Sequence, residues 1–323
     1  MHEAGRAAKP SVTDSISPKT THPMTNAPPD PRATAQVKDW IRLACLMEAT
    51  ARKPGNVHPN ASFEDLSYED FVLSAGRISP FLANTPRLGV GRAIFSAVEV
   101  TRRALRSNCN LGVVLVIAPL AAVPLGTSLT EGISDVLSSL TERDATLAYE
   151  AIRVARPGGL GKALNADISE GPQGTLLDVM KLAADRDLVA AQYATDFHLV
   201  LTEGLPLLDA AENFTQTWED EIVRLHLTLM SRHPDTLIAR KCGIDEARTS
   251  AEMASSVLDA GWPDTPEGII KLRHLDRWLR AVENRRNPGT TADLVTGSLF
   301  AAMREGCIQP PSEEEIEESG QPS

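Results

Sequence analysis

The sequence predicts an all-α protein, a single globular helical domain with disordered N- and C-terminal tails. Three observations carry this. Aromatic residues make up 4% of the chain, and the period-two alternation of half-buried strands is rare. Alanine and leucine, strong helix formers, dominate the middle of the chain. Hydrophobic residues reach 42% and charged residues 23% of 323 positions, ordinary values for a globular protein with a sizeable core.

The elements follow in chain order. Residues 1–33 read as a tail, rich in proline and without Phe, Leu, Trp or Tyr before Trp40. Such a segment buries too little apolar surface to offset its ordering entropy. One domain is expected over residues 34–308, with no Gly-, Ser- or Pro-rich linker inside it. In its first helix Val37, Trp40, Ile41 and Ala44 fall at i, i+3, i+4 and i+7, and Glu48 continues the series at i+11. A carboxylate is therefore expected on a buried stripe. Helices are expected from Tyr68 to Ser74 and from Gly91 to Arg106. The apolar run from Leu111 to Leu120 reads as a core helix broken by Pro119. Thr146 to Val154 ends at an Arg-Pro-Gly-Gly stop. Leu176 to Phe197, Trp218 to Met230, Asp235 to Lys241, Asp245 to Leu258, Pro266 to Val282 and Thr291 to Met303 complete the set. Residues 309–323 read as an acidic disordered tail whose glutamates repel one another and find no basic partner nearby.

Composition excludes several classes. With 32 Lys+Arg against 43 Asp+Glu the net charge is −11, which argues against nucleic acid as a partner. The best apolar run, Leu111 to Val123, is shorter than the roughly 18 residues of a membrane helix. No apolar segment flanked by basic residues stands at the N-terminus, so no membrane and a cytoplasmic location are expected. Cys45, Cys109, Cys242 and Cys307 form no C-x-x-C pair and read as reduced thiols. The seven histidines give no metal triad, and no G-x-S-x-G element appears.

Polar residues gather at the breaks between helices. Glu48 is followed by Lys53-Pro54-Gly55-Asn56. This is either an ion pair that fixes a corner or a ligand site where Lys53 and the Gly55 backbone face an anion. Asp65, Asp70 and Ser74 follow, with Asp70 and Ser74 on one helix face. Asp65 reads equally as an N-cap. Two carboxylates near Glu48 would suit Mg²⁺, with Glu48 and Asp70 as its ligands. Asn108, Asn110 and Gly112 precede the apolar run and suit either capping or base and ribose recognition. Gly158, Gly159, Gly161 and Lys162 have the composition of a phosphate cradle without P-loop spacing. Asp235 or Thr236 could cap the next helix and Arg240 and Lys241 suit its C-terminus, yet His233, Asp235, Arg240 and Lys241 within nine positions exceed what capping requires. Gly289, Thr290 and Thr291 open a helix whose N-terminal amides could bind phosphate, with Asp293 in its first turn.

Taken in order, these segments resemble the triphosphoribosyl-dephospho-CoA synthases. The matches are E-x4-K-P-G-N-V at 48–57, D-F-x-x-S at 70–74, N-x-N-x-G at 108–112 and P-G-G-L-G at 157–161. They continue with H-P-D-T-L-I-A-R-K-x-G at 233–243 and N-P-G-T-T-A-D-L at 287–294. The resemblance spans about residues 40–303. It implies an all-helical fold and transfer of triphosphoribosyl from ATP to 3′-dephospho-CoA with release of adenine. It further implies that Glu48, Asp65 and Asp70 serve catalysis or Mg²⁺, Lys53, Arg240 and Lys241 the phosphates, and Asn108 and Asn110 the base or ribose. A homodimer is compatible with it and not specified. Where citrate-lyase-associated members continue K-P-G-L-V-D with R-N-x-G-A-H-x-D-M-D, this chain reads HPNASFEDLSYED. Asn110 and Leu111 stand where those members carry a His and a basic residue. The chain thus resembles a divergent branch. Its alternatives are a ribosyl transferase acting on another coenzyme precursor and a nucleotide-binding helical protein without catalysis.

Overall fold

The computed structural model describes residues 1, 30–105, 109–155, 171–209 and 217–320. Among the described residues the architecture is helical throughout, with one isolated antiparallel bridge between His58 and Ala61. Asn108 and the glycines and lysine at 158, 159, 161 and 162 lie outside the described residues, as does nearly all of the expected N-terminal tail.

Helix α1 (Pro31–Thr50) starts with a proline just inside the Asp30 cap, whose carboxylate accepts from Arg32 N at 2.9 Å. The helix therefore begins inside the stretch expected to be tail. Its buried stripe, Val37, Ile41 and Ala44, runs on into Glu48 as the spacing requires. α2 (Tyr68–Ala83) opens on a Ser67–Asp70 capping box and runs beyond Ser74. α3 (Thr85–Leu88) and α4 (Val90–Ala104) follow.

α5 (Leu111–Ala122) is the central rod, with ten of its twelve residues buried. Pro119 does not break it. Proline offers no N–H to the carbonyl four residues back, and that carbonyl, Leu115 O, instead accepts from the Tyr193 hydroxyl at 2.7 Å. α6 (Leu129–Ser138) and α7 (Glu142–Ala155) pack outside it. The single helix expected from Leu176 to Phe197 is two helices, α8 (Leu176–Ala183) and α9 (Leu188–Ala194). Asp187 caps the second by accepting from Val189 N and Ala190 N. A π-helix (Leu199–Gly204) leads into α10 (Leu205–Asp209).

A second apolar cluster joins α11 (Trp218–Arg232), α12 (Thr236–Cys242), α13 (Ile244–Asp259) and α14 (Pro266–Arg280) through Leu227, Ile238, Val257 and Leu279. α15 (Gly289–Glu305) returns through the main core, with twelve of its seventeen residues buried.

The acidic C-terminal segment is not a free tail. α16 (Glu313–Ser319) has its own capping box from Ser312 and Glu315, and Ile316 is buried in the main core. Glu313 finds the basic partner that sequence reasoning denied it, Arg42 of α1. Position 320 lies against Pro59. One apolar residue and a serine cap thus outweigh the mutual repulsion of the glutamates.

Candidate functional site

The C-terminus of α1 and the N-termini of α5, α12 and α15 converge on one cavity of about 1760 Å³. The geometry divides the residues singled out by sequence into those that face this space and those that hold its walls.

The Lys53-Pro54-Gly55-Asn56 segment is mostly wall. Lys53 is fully buried and does not border the cavity. Its Nζ lies 3.0 Å from Glu48 Oε1 and also donates to the carbonyls of Glu48 and Ala51. Gly55 has φ +76, and a Cβ there would lie 2.7 Å from Leu279 Cβ, so only glycine fits against α14. Its N–H donates to Asp276 Oδ1 at 2.8 Å, and Arg280 donates to the same oxygen and to Asn56 O. Next door, Arg52 makes a bidentate pair with Glu219 of α11 at 2.6 and 2.8 Å. The corner is a rivet between α1, α11 and α14. His58, just beyond it, is pushed down to about 4 by burial, then by the Arg280 and Lys53 charges.

Glu48 and Asn56 do border the cavity, both 6% exposed. So do Asn110 and Gly112 at the start of α5, with Asp293 of α15 pressed against Gly112. A Cβ on Gly112 would sit 1.9 Å from Asp293 Oδ2, so the absent side chain is what admits the carboxylate to the α5 N-terminus. Burial holds the Asp293 carboxyl well above the usual range, reinforced by the Glu48, Asp235 and Asp187 charges, and a bond from the Val113 backbone only partly offsets this. Asn110 spends its amide hydrogens on Ser74 Oγ at 2.7 Å and Thr101 Oγ1 at 3.0 Å, so Ser74 acts behind the wall.

Asp235 is completely buried and does not face the cavity. Its Oδ1 caps α12 through Leu237 N and Ile238 N. Its Oδ2 accepts from Thr291 N and Thr291 Oγ1 at 2.7 and 2.8 Å, fastening the start of α15. That clamp presents Thr236, Gly289 and Thr290 to the cavity, with α15 carrying no side-chain cap of its own. Arg240 and Lys241 border the same space. Arg240 lies 3.6 Å from Asp187, and burial followed by the Arg240 charge lowers the Lys241 ammonium, with Asp65 opposing. Asp65 is therefore a neighbour of Lys241 at the cavity, not an N-cap of α2, which Ser67 supplies. Asp70 stands apart: its carboxylate accepts from Ser67 N at 2.9 Å and does not border the cavity.

Several bordering groups escaped sequence reasoning. Asn287 and Arg285 precede α15, and Cys109 and Asp187 border the cavity as well. Arg285 donates to Lys241 O at 2.6 Å. The signal for Asn287 was present, since it opens the N-P-G-T-T-A-D-L segment. Arg285 sits in an arginine-rich turn that reads as solvated surface until folded. All four cysteines are free, as expected. Among the described residues no helix is long and apolar enough to cross a membrane.

A family model described as ATP:dephospho-CoA triphosphoribosyl transferase (CitG) matches residues 34–310. A protein of Malonomonas rubra, "Probable 2-(5''-triphosphoribosyl)-3'-dephosphocoenzyme-A synthase", is 22% identical over 286 residues, which cover 83% of this chain and 87% of that protein. A crystal structure of a protein from Archaeoglobus fulgidus, assigned by name as a triphosphoribosyl-dephospho-CoA synthase, is similar with a TM-score of 0.57 and 24% identity. The match covers 73% of this chain and 100% of that one, and at this identity it speaks for the fold.

Proposed function

The chain belongs to the ATP:dephospho-CoA triphosphoribosyl transferase family, and from that premise we propose that it moves the triphosphoribosyl group of ATP onto a ribose hydroxyl of 3′-dephospho-CoA. The bond from the ribose anomeric carbon to adenine breaks and a bond from that carbon to the acceptor oxygen forms. The acceptor hydroxyl gives up a proton, and the departing adenine takes one.

One observation carries the reading: a single cavity joins an acidic end to a cationic wall. At the acidic end Glu48, ion-paired with Lys53, is the carboxylate for the developing positive charge or the acceptor proton. Asp293, whose carboxyl burial and the neighbouring acidic charges push well above the usual range, is the donor for the departing base. Two carboxyl groups in unlike environments are the usual basis for dividing acid and base roles. At the other wall Arg240, Lys241 and Arg285 stand near the start of α15, where Gly289 and Thr290 border the cavity and only the Thr291 amide is taken up by Asp235, a setting that favours a triphosphate. The volume, about 1760 Å³, exceeds the 300–1,000 Å³ typical of a site for one small ligand and suits two nucleotides.

Mg²⁺ belongs to this proposal as the ion that enters with the triphosphate and would supply neutralisation of phosphate charge. Of its two expected ligands Glu48 fits, offering a carboxylate to the cavity, and Asp70 does not, being engaged at the α2 cap. Every group invoked comes from one chain, and with ATP as donor we assign the reaction to the cytoplasm.

The test is chemical. Purified protein with ATP, Mg²⁺ and 3′-dephospho-CoA is expected to release free adenine in step with a product carrying the added triphosphoribosyl mass. Release of ADP or phosphate without adenine, or no change at all, would sink the reading.

A further inference from the structure

The cavity wall holds one polar atom that the protein leaves stranded. Asn56 is 6% exposed and borders the cavity. Its Nδ2 donates to Asn287 Oδ1 at 2.8 Å, while its own Oδ1 is buried and accepts no hydrogen bond from the described residues. Buried side-chain carbonyls are partnered in the great majority of folded proteins, because a stranded acceptor bears the whole cost of losing its water.

This side chain is not free to seek a partner. Asn56 O accepts from Arg280 at 2.6 Å, Arg280 is held by Asp276 at 2.8 Å, and Asp276 also takes the Gly55 N–H at 2.8 Å. Gly55 is pinned against Leu279 in a left-handed conformation. Asn287 fixes the amide from the far side and itself borders the cavity. An acceptor held this firmly on a residue that borders a ligand-sized space, with nothing of the protein's own to accept from, is a recognition element.

We infer that Asn56 Oδ1 is a specificity-determining acceptor, taking a hydrogen bond from an N–H or O–H of the nucleotide that donates its ribose. The inference deepens the transfer reading above and rests on it. The donor is either the exocyclic amine of the base or a ribose hydroxyl. A carbonyl presented at the same place would meet lone pair against lone pair and be rejected, as sites built around a ligand donor reject analogues that lack it.

The experiment is calorimetric titration of the wild-type protein and Asn56→Leu with ATP, ITP, 2′-deoxy-ATP and 3′-deoxy-ATP, with folding checked by circular dichroism. Wild type is expected to bind one analogue at least about tenfold more weakly than ATP. A weak ITP identifies the amine, and a weak deoxynucleotide identifies the hydroxyl. Asn56→Leu is expected to bind ATP about tenfold more weakly and to narrow that gap to about twofold. Wild-type affinities all within about twofold of ATP would overturn the inference, as would an undiminished gap in the variant. The wild-type series stands alone if the variant does not fold. Adenine release is measured separately: its absence sinks the transfer reading, whereas unselective binding alongside adenine release sinks only the role of Asn56.

Discussion

Two clusters of cations look alike in sequence and differ in the folded chain. Lys53 stands in the Lys-Pro-Gly-Asn corner; Arg240 and Lys241 stand at the end of α12. Lys53 is wholly buried and spends its ammonium on Glu48 and two carbonyls. Arg240 and Lys241 border a large cavity. Charge enclosed by the protein's own acceptors serves the fold, and charge left facing an open space remains for a ligand. Glu48 belongs to both regions, held by the corner and turned to the cavity.

Replacing Glu48 with Gln should separate those two duties. The amide still accepts from Lys53 Nζ but leaves that buried ammonium without its counter-charge, so the helical circular dichroism spectrum should persist at 25 °C with a lowered melting temperature, while adenine release should fall by about 10²–10⁴-fold, the usual scale for losing an acid–base group. Full activity would remove Glu48 from the chemistry. Lys53→Met should act on the other side of the comparison. It strands a buried carboxylate, and breaking a buried pair costs about 3–5 kcal/mol; urea denaturation should report it. A variant as stable as wild type but weak in ATP binding would return Lys53 to the site. Lys241→Met should give the converse, a denaturation midpoint close to wild type with ATP affinity reduced about tenfold, the effect of taking one charged hydrogen-bond donor away from a phosphate. The smallest effect is expected at His58, whose imidazole is held at about 4 against an ordinary 6.5, chiefly by burial. Above pH 6.5 it is neutral folded or unfolded. Between 6.5 and about 4 the unfolded chain takes up a proton that the folded chain refuses, so stability falls as pH falls through this window. His58→Gln should show a shallower loss of melting temperature between pH 7 and pH 4.5; an identical slope would mean the corner does not disfavour the charged ring.

Much of the fold was legible because periodicity reports burial directly. The stripe from Val37 to Glu48 sits where its spacing puts it. What sequence reasoning lost were effects of distant partners. Pro119 reads as a break until Tyr193, far along the chain, supplies the missing donor. Asp187 reads as one more helical residue until it caps α9. The C-terminal glutamates read as a solvated run, although Ser312 and Glu315 carry a capping signature and Ile316 an apolar anchor. α6 is legible too, in its Ser128 cap and in Leu129, Ile133 and Leu137 at helical spacing. At the site, residue types located the right neighbourhoods but could not tell facing from backing. Asp70, Ser74, Asp235 and Lys53 share the chemistry of Glu48, Thr290 and Lys241, and only packing reveals which of them are already engaged. Asn287 carries a signal, opening the N-P-G-T-T-A-D-L segment, whereas nothing in the surface-like turn around Arg285 declares what it borders.

The short acidic helix at the end of the chain has a reach out of proportion to its size. It grips α1 through Arg42, plants Ile316 in the main core, and leaves position 320 against Pro59, on the segment that descends to Phe63 and Asp65 at the cavity. Trimming it for crystallisation, or fusing an expression handle directly behind it, would therefore disturb a segment that lines the pocket and not merely an ornamental end.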